Sequence, residues 1–126
     1  MERQRPAHVV AYENHRARVK SQRLPDEKLL ELSVFKKYNA GDPSMKLYIK
    51  NINTKSVTEE RLRVLFKPYF EFYSGEGEIK LMTRGQMKGQ AFVTFPSVEA
   101  AKDALEDCHG YVLEDKPIAV MFAKSR

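Results

Sequence analysis

The sequence predicts an α+β fold in which two helices pack on one face of a four-stranded sheet. Strand and helix patterns alternate in the order βαββαβ over residues 45–126. The apolar residues of each pattern line up on a single face. Two helices cannot cover both faces of a sheet and still close one core in a segment of this size. The second face of the sheet is therefore expected to be open.

Each predicted element has a local signal in the sequence. Strands are indicated by short runs of aliphatic, β-branched and aromatic residues, and helices by apolar residues three and four positions apart. The predicted elements are a strand over 47–49, a helix over 59–69 capped by Ser56 or Thr58, strands over 79–82 and 90–95, a helix capped by Ser97 that bears Ala100, Ala101, Ala104 and Leu105, and a strand over 118–122. This order is that of a ferredoxin-like sandwich.

A short helix is predicted just before this domain, within residues 25–44. Pro25 suits the first position of a helix, and the charges of Asp26 and Glu27 are favourable at its N-terminus. The turn formers of residues 39–44 then end the segment. This N-terminal extension could support the core or lie on the open sheet and regulate access to it. The supporting role is favoured because three apolar residues need burial, namely Leu29, Leu32 and Phe35.

The first 24 residues read as a flexible basic arm. They carry six Lys/Arg and two acidic residues, whereas residues 45–126 carry thirteen and eleven. Residues 1–20 show no sustained period and few large apolar side chains, so no fixed structure is predicted for them. The net charge of +5 favours a polyanionic partner. Because the domain itself is nearly balanced, its affinity must come from individually placed groups.

Composition narrows the class of protein further. The single cysteine, Cys108, permits no internal disulfide, which suits a reducing compartment. No run of about eighteen apolar residues and no secretory signal are present, so no membrane partner is expected. The three histidines lack metal-ligand spacing, and Glu59 and Glu60 are explained by the first turn of a helix. Neither a metal, a cofactor, a small-molecule substrate nor enzyme activity is expected.

The open sheet face carries the functional signal. Alternation along the strands directs Tyr48 and Phe92 outward, away from the core. Lys50, Lys88 and Gln90 flank these two aromatic rings. Unpaired bases stack on such rings, lysines neutralise phosphates, and an amide both donates and accepts hydrogen bonds at a base edge. The pattern predicts a surface for single-stranded or loop RNA, although a protein could also cover these aromatics.

Two segments resemble the paired signatures of the RNA-recognition-motif (RRM) family. KGQAFVTF agrees with K/R-G-F/Y-G/A-F-V-x-F/Y at every position but the third, where Gln90 replaces an aromatic residue, and LYIKNI fits the partner hexamer. The resemblance covers about residues 45–126. MKGQAF together with KPIAVMFAK is similar to the subgroup of spliceosomal snRNP proteins that bind an snRNA hairpin loop.

The resemblance to that subgroup implies which residues touch RNA. Bases would contact the outward side chains, the segment before the third strand would enter the RNA loop, and the end of the last strand would add contacts. The residues implied in this way are Tyr48, Arg84, Gln86, Met87, Lys88, Gln90, Phe92, Met121, Ala123 and Lys124. Together with these, Lys50, Asn51 and Lys80 complete the predicted RNA-binding residues.

Within the subgroup, LSVFKKYNAGDPSMKLYIKNI resembles the minor-spliceosome branch, formed by the C-terminal domains of large RNA-binding di-snRNP subunits and their RNA-binding-motif paralogues. Lys50 and the compact TRGQMKG loop favour the same branch. The resemblance implies a nuclear protein of pre-mRNA splicing, with spliceosomal snRNP proteins as partners. Its RNA would be the 3′-terminal hairpin of the snRNA that pairs with the branch site. A major-spliceosome hairpin binder and a protein-interaction RRM remain the alternatives.

Overall fold

The computed structural model of the protein describes residues 5–124 and contains four helices and six strands within them. The helices are α1 (Ala7–Ser21), α2 (Asp26–Leu29), α3 (Glu59–Phe72) and α4 (Val98–Cys108). The strands are β1 (Lys46–Lys50), β2 (Glu78–Met82), β3 (Gln90–Thr94), β4 (Val112–Leu113), β5 (Lys116–Pro117) and β6 (Ala119–Phe122). Short 3₁₀ turns lie at Ser33–Phe35 and Gly85–Met87.

The main sheet is antiparallel and has the strand order β2-β3-β1-β6. Leu47 and Ile49 of β1 and Ala91 and Val93 of β3 point to the side of α3 and α4, and none of the four exposes surface. The predicted βαββαβ order and the packing of both helices on one face are therefore confirmed. The other face of the sheet carries Tyr48 and Phe92, as the alternation predicts.

Both predicted helices begin at a capping side chain. The Thr58 hydroxyl accepts a hydrogen bond from the Arg61 amide at 3.2 Å, and the Ser97 hydroxyl accepts one from the Ala100 amide at 3.1 Å. Helix α3 runs three residues beyond its predicted end at residue 69, although it contains Pro68. Packing of its buried face outweighs the hydrogen bond that a proline cannot donate.

The β4–β5 hairpin was not predicted. Its turn residues, Glu114 and Asp115, have φ values of 47° and 71°. Two consecutive residues in the left-handed region are typical of a two-residue hairpin turn, where Asn-Gly or Asp-Gly is the usual sequence. Glu-Asp carries no such signal, so the turn could not be recognised from sequence.

The prediction of a flexible N-terminal arm is wrong for residues 7–21, which form helix α1. Helix α1 packs against α3 and α4 on the side away from the sheet. The Tyr12 ring stacks on Phe72 with 3.9 Å between centroids and 5° between planes, and Val19 is also buried. Residues 1–4 of the predicted arm, and residues 125–126 of the predicted domain, lie outside the described residues.

Helix α1 is attached by polar contacts around Asp107, whose side chain is fully buried on α4. The Arg16 guanidinium donates to both carboxylate oxygens, at 2.7 and 3.1 Å, and the Tyr69 hydroxyl donates at 2.8 Å. The hydrogen bond with Asp107 raises the pKa of Arg16. These bonds offset the cost of removing the carboxylate from water.

The extension before the domain packs mainly over strand β6. Leu29 and Phe35 are buried against Ala119, and Met121 lies at the margin of this cluster. Ala119 is the cross-strand partner of Lys50, so the cluster sits on the open side of the sheet and not over the main core. The prediction that the extension packs over the main core is therefore wrong, because its apolar residues pack on the open side of the sheet.

Leu32 also departs from the expectation, because 36% of it is exposed. Helix α2 ends at Leu29, and the chain turns before the 3₁₀ segment, so Leu32 does not continue the buried stripe.

The extension also covers the outer edge of β6. The Phe122 amide donates to the Ala40 carbonyl at 2.7 Å, and the Tyr38 hydroxyl donates to the Val120 carbonyl at 2.6 Å. The Tyr38 ring stacks on His109, whose Nδ1 accepts the Val120 amide proton at 3.1 Å. Backbone groups that would be unpaired at a sheet edge are thus satisfied within the chain.

Between residues 5 and 124, no helix combines the length and the apolar character that a membrane span requires.

Candidate nucleic-acid interface

Two aromatic rings form the centre of the open sheet face. Tyr48 and Phe92 are direct cross-strand partners on the central strands β1 and β3. Their rings are nearly parallel, with 10° between planes and 5.0 Å between centroids. We call this pair the aromatic platform. Each ring is half-buried, so a planar ligand can still reach it.

A lysine ammonium lies over each ring of the aromatic platform. Lys50 Nζ is 5.3 Å from the Tyr48 centroid, and Lys46 Nζ is 4.9 Å from the Phe92 centroid. Lys46 was missed by the sequence analysis. Its position two residues before Tyr48 puts it on the same strand face, so the alternation that identified Tyr48 could have identified it.

Gln90 is held by the platform itself. The Tyr48 hydroxyl donates to Gln90 Oε1. Burial raises the pKa of Tyr48, so the phenol stays protonated and remains a donor. The Gln90 carbonyl oxygen is thereby engaged, and its amide N–H groups are directed elsewhere. A fixed donor beside two stacking rings can select among base edges.

Lys80 and Met121 lie on either side of the platform, in the same cross-strand row of the sheet. Lys80 is the cross-strand partner of Phe92, and Met121 is the partner of Tyr48. Lys80 is exposed, whereas Met121 is half-buried beside the extension. The platform is therefore bordered by a cation on one side and an apolar ridge on the other.

Four further predicted residues are exposed together in the loop between β2 and β3, namely Arg84, Gln86, Met87 and Lys88. Gly85 and Gly89 have φ values of +73° and +88°, which favour glycine at both turns of this loop. Gly89 anchors the end of the loop, since its amide donates to the Met82 carbonyl at 3.1 Å and its carbonyl accepts the Ile52 amide at 3.0 Å. The loop thus presents cations and polar groups from a fixed base.

Two predicted residues are engaged in holding the fold. The Asn51 side chain donates to the Pro117 carbonyl at 2.8 Å from a residue with φ of 70°. The Ala123 amide donates to the Lys46 carbonyl at 2.8 Å, and its carbonyl accepts the Ser44 hydroxyl at 2.8 Å. Lys124, the next residue, is exposed.

Two other kinds of chemistry are relevant to the described part of the chain, a metal-binding cluster and a reactive thiol. Residues 5–124 contain no group of three or more His, Cys, Asp and Glu side chains that could hold a metal ion. Cys108 is buried, and burial raises the pKa of its thiol, which keeps it protonated and a poor nucleophile.

Sequence comparison matches residues 47–119 to the family described as RNA recognition motif. RNA-binding region-containing protein 3 of Danio rerio is 45% identical, and the match covers 82% of this chain and 21% of the relative. The U11/U12 small nuclear ribonucleoprotein 65 kDa protein of Arabidopsis thaliana is 42% identical, over 82% of this chain and 24% of the relative. The chain therefore spans about a quarter or less of the length of these curated relatives.

Two solved structures are similar over more than four fifths of their length. A solution structure of the C-terminal RRM domain of the U11/U12 65K protein has a TM-score of 0.77 and 39% identity, covering 88% of this chain and 84% of that domain. A second structure of the C-terminal RNA recognition motif of the U11/U12 65K protein has a TM-score of 0.78 and 40% identity, covering 87% and 94% respectively.

Proposed function

Because this chain belongs to the RNA recognition motif family, we propose that its open sheet face binds the loop of an snRNA hairpin. The family consists of RNA-binding domains, and the relatives that match this chain are RNA-binding proteins and not enzymes. This agrees with the expectation, drawn from the sequence, that the chain has no enzyme activity. The RNA we propose is the 3′-terminal hairpin of the minor-spliceosome snRNA that pairs with the branch site. The setting is pre-mRNA splicing in the nucleus, with other snRNP proteins as partners.

The aromatic platform is the observation that supports this proposal most. A base stacked on an aromatic side chain gains about 1–3 kcal/mol, whereas an exposed cation over a ring gains about 0.5–1 kcal/mol. A base therefore replaces Lys46 or Lys50 over its ring at a net gain. The displaced ammonium stays close enough to pair with the phosphate next to the stacked base.

The choice of a hairpin loop is supported by the loop between β2 and β3. Arg84 and Lys88 are exposed on this loop, which leads directly into β3 and is fixed at Gly89. Bases in an RNA loop are unstacked and can be splayed onto a sheet, while an adjacent protein loop contacts the phosphates that surround them.

The minor-spliceosome assignment is supported by the relatives. Two solved structures are of the C-terminal RRM of the U11/U12 65K protein, and a relative carries the name U11/U12 small nuclear ribonucleoprotein. The similarity extends over more than four fifths of this chain and includes the extension before the domain. A protein partner on the rear helices has less support, because α1 already packs there.

A competition experiment tests the proposal. The full chain is bound to a fluorescently labelled 3′-terminal hairpin of the minor-spliceosome branch-site snRNA, and unlabelled hairpins are added. The same hairpin should displace the probe about tenfold more effectively than a major-spliceosome snRNA hairpin, the difference expected from one or two altered base contacts. A scrambled-loop hairpin is the control. Equal or better displacement by the major-spliceosome hairpin contradicts the minor-spliceosome assignment.

A further inference from the structure

A depression of about 230 Å³ adjoins the aromatic platform on the side of β2. Its lining residues are Lys46, Glu78, Lys80, Met82, Phe92 and Thr94. Three of them, Glu78, Thr94 and Lys46, form one cross-strand row, since Thr94 is the partner of both others. This row lies two residues along the strands from the row of Phe92 and Tyr48, a distance of about 7 Å.

Glu78 is unusual in its position on this surface. Ile79 and Leu81 of β2 are buried, so Glu78 points to the open face together with Lys80. A carboxylate there repels RNA phosphates, and a surface that bound RNA by charge alone would be better served by a neutral or basic residue. The exposed Glu78 carboxylate, which lines the same depression as Lys80 and Lys46, is instead suited to a specific contact with a base.

The row matches the edge of one base. A carboxylate only accepts hydrogen bonds, an ammonium only donates, and a hydroxyl does both. Across the row, the order from Glu78 through Thr94 to Lys46 is thus acceptor, donor or acceptor, donor. The Watson–Crick edge of guanine presents two adjacent donors, N2–H and N1–H, followed by the acceptor O6. Adenine, cytosine and uracil do not present two adjacent donors on that edge.

We propose that Glu78 reads a guanine that lies next to the base stacked on Phe92. The carboxylate accepts from N1–H and N2–H, and the Thr94 hydroxyl or the Lys46 ammonium donates to O6. Lys46 connects the two positions because its ammonium also lies over the Phe92 ring. The inference rests on the proposed RNA-binding function and makes Glu78 a specificity-determining residue of the same face.

A selection experiment tests this inference. The full chain, the variant Glu78→Gln and the variant Glu76→Gln each select RNA from a pool of hairpins with a randomised loop. Glu76 is exposed in the loop before β2 and serves as the matched control. One loop position should be enriched in guanine by the unaltered chain and by Glu76→Gln. The preference for guanine over adenine at that position should fall about tenfold in Glu78→Gln, as expected for one bidentate base contact.

Inosine, which lacks the N2 amino group, sharpens the test. In a selected hairpin, replacing that guanine by inosine should weaken binding of the unaltered chain and leave binding of Glu78→Gln nearly unchanged. The same guanine preference in all three proteins, or none in any, overturns the inference while RNA binding itself stands. If the unaltered chain selects no RNA, the proposed function fails with it.

Discussion

At the scale of single residues, one hydroxyl orients the polar group beside the platform. Tyr48 both offers a ring for stacking and donates to Gln90, so under the proposed function the same side chain would supply affinity and hold a selective neighbour in place. The residue that departs from the family signature, Gln90, is therefore integrated into the platform. A substitution at Tyr48 is expected to affect both properties together.

Replacing Phe92 by alanine tests the platform. The affinity for the snRNA hairpin should fall by about 1–3 kcal/mol, because one stacking surface is lost. The fold should remain intact, since the ring points away from the main core. Fluorescence anisotropy measures the affinity, and circular dichroism checks the fold. Val64→Ala is the control, since Val64 is an exposed apolar residue on helix α3. Unchanged affinity in Phe92→Ala would remove the platform from the mechanism.

At the scale of elements, helix α1 is attached by polar contacts together with a small apolar area. Its buried apolar residues are Tyr12 and Val19, and its main anchor is the Arg16–Asp107 pair. Removing one partner of a buried ion pair leaves the other charge without compensation, which is costlier than losing an exposed pair.

Arg16→Ala is therefore predicted to lower the free energy of unfolding by about 3 kcal/mol, at the lower end of the range for breaking a buried pair, because Tyr69 and Lys20 still contact Asp107. Urea denaturation measures this change. Arg18→Ala, an exposed position on the same helix, should change the stability by less than about 0.5 kcal/mol. Equal effects of the two substitutions would show that Asp107 does not anchor α1.

A histidine that packs against Tyr38 and Phe35 of the extension has a shifted pKa. Burial lowers the pKa of His109 to about 4, and the nearby Arg23 guanidinium adds to the effect. In the unfolded chain a histidine titrates at about 6.5. Between these two values the unfolded chain binds a proton that the folded chain excludes. The free energy of unfolding should thus fall as the pH drops from about 6.5 to about 4. Above about pH 6.5, His109 should add nothing to the pH dependence of the free energy of unfolding.

The variant His109→Asn isolates this contribution. The Asn side-chain oxygen can still accept the Val120 amide proton but does not titrate in this window. Urea denaturation at about pH 7 and about pH 5 should show a smaller loss of stability in the variant than in the unaltered chain. His8→Asn, at an exposed position, should retain the full loss. The burial of His15 lowers its pKa as well, so part of the pH dependence should persist. Identical pH dependence in His109→Asn and the unaltered chain would contradict the assignment.

Local sequence patterns predicted the sheet and the outward direction of the platform residues. They could not predict contacts between residues that are distant in sequence. Alternation suffices to orient Tyr48 and Phe92, because it depends only on neighbouring residues. Helix α1 could not be predicted in the same way, since Arg16 and Asp107 are 91 positions apart and the helix has no continuous apolar stripe. The position of the extension over Ala119 likewise depends on the tertiary fold, and the residues that bind RNA remain a prediction.

At the scale of the whole molecule, charge is spread unevenly. Helix α1 directs Arg16 and Lys20 toward acidic residues of α4, so these cations are engaged within the fold. The cations available for phosphates near the platform are Lys46, Lys50, Lys80, Arg84, Lys88 and Lys124, of which about three to five are expected to contact phosphates at once. The net charge of +5 therefore overstates the contribution of the arm to RNA binding.

The salt dependence of RNA binding follows from this count. Three to five phosphate contacts predict that the logarithm of the association constant falls with the logarithm of salt concentration with a slope of about −2 to −3.5. Lys88→Ala should reduce the magnitude of the slope by about 0.7. Lys67→Ala, an exposed cation on helix α3, should leave the slope unchanged. Anisotropy titrations at several salt concentrations measure the slope for the unaltered chain and for both variants. A slope near zero would exclude phosphate contacts as a source of affinity.

The cluster over Ala119 has a consequence for the path of the RNA. Leu29 and Phe35 stand on the open side of the sheet along β6 and act as a barrier at that border. A linear strand that crossed from one edge of the sheet to the other would meet this barrier. A hairpin loop enters and leaves on the same side, toward β2, and needs no exit past β6. Under the proposed function, the extension would favour RNA that reverses its direction on the protein over RNA that crosses the sheet from edge to edge.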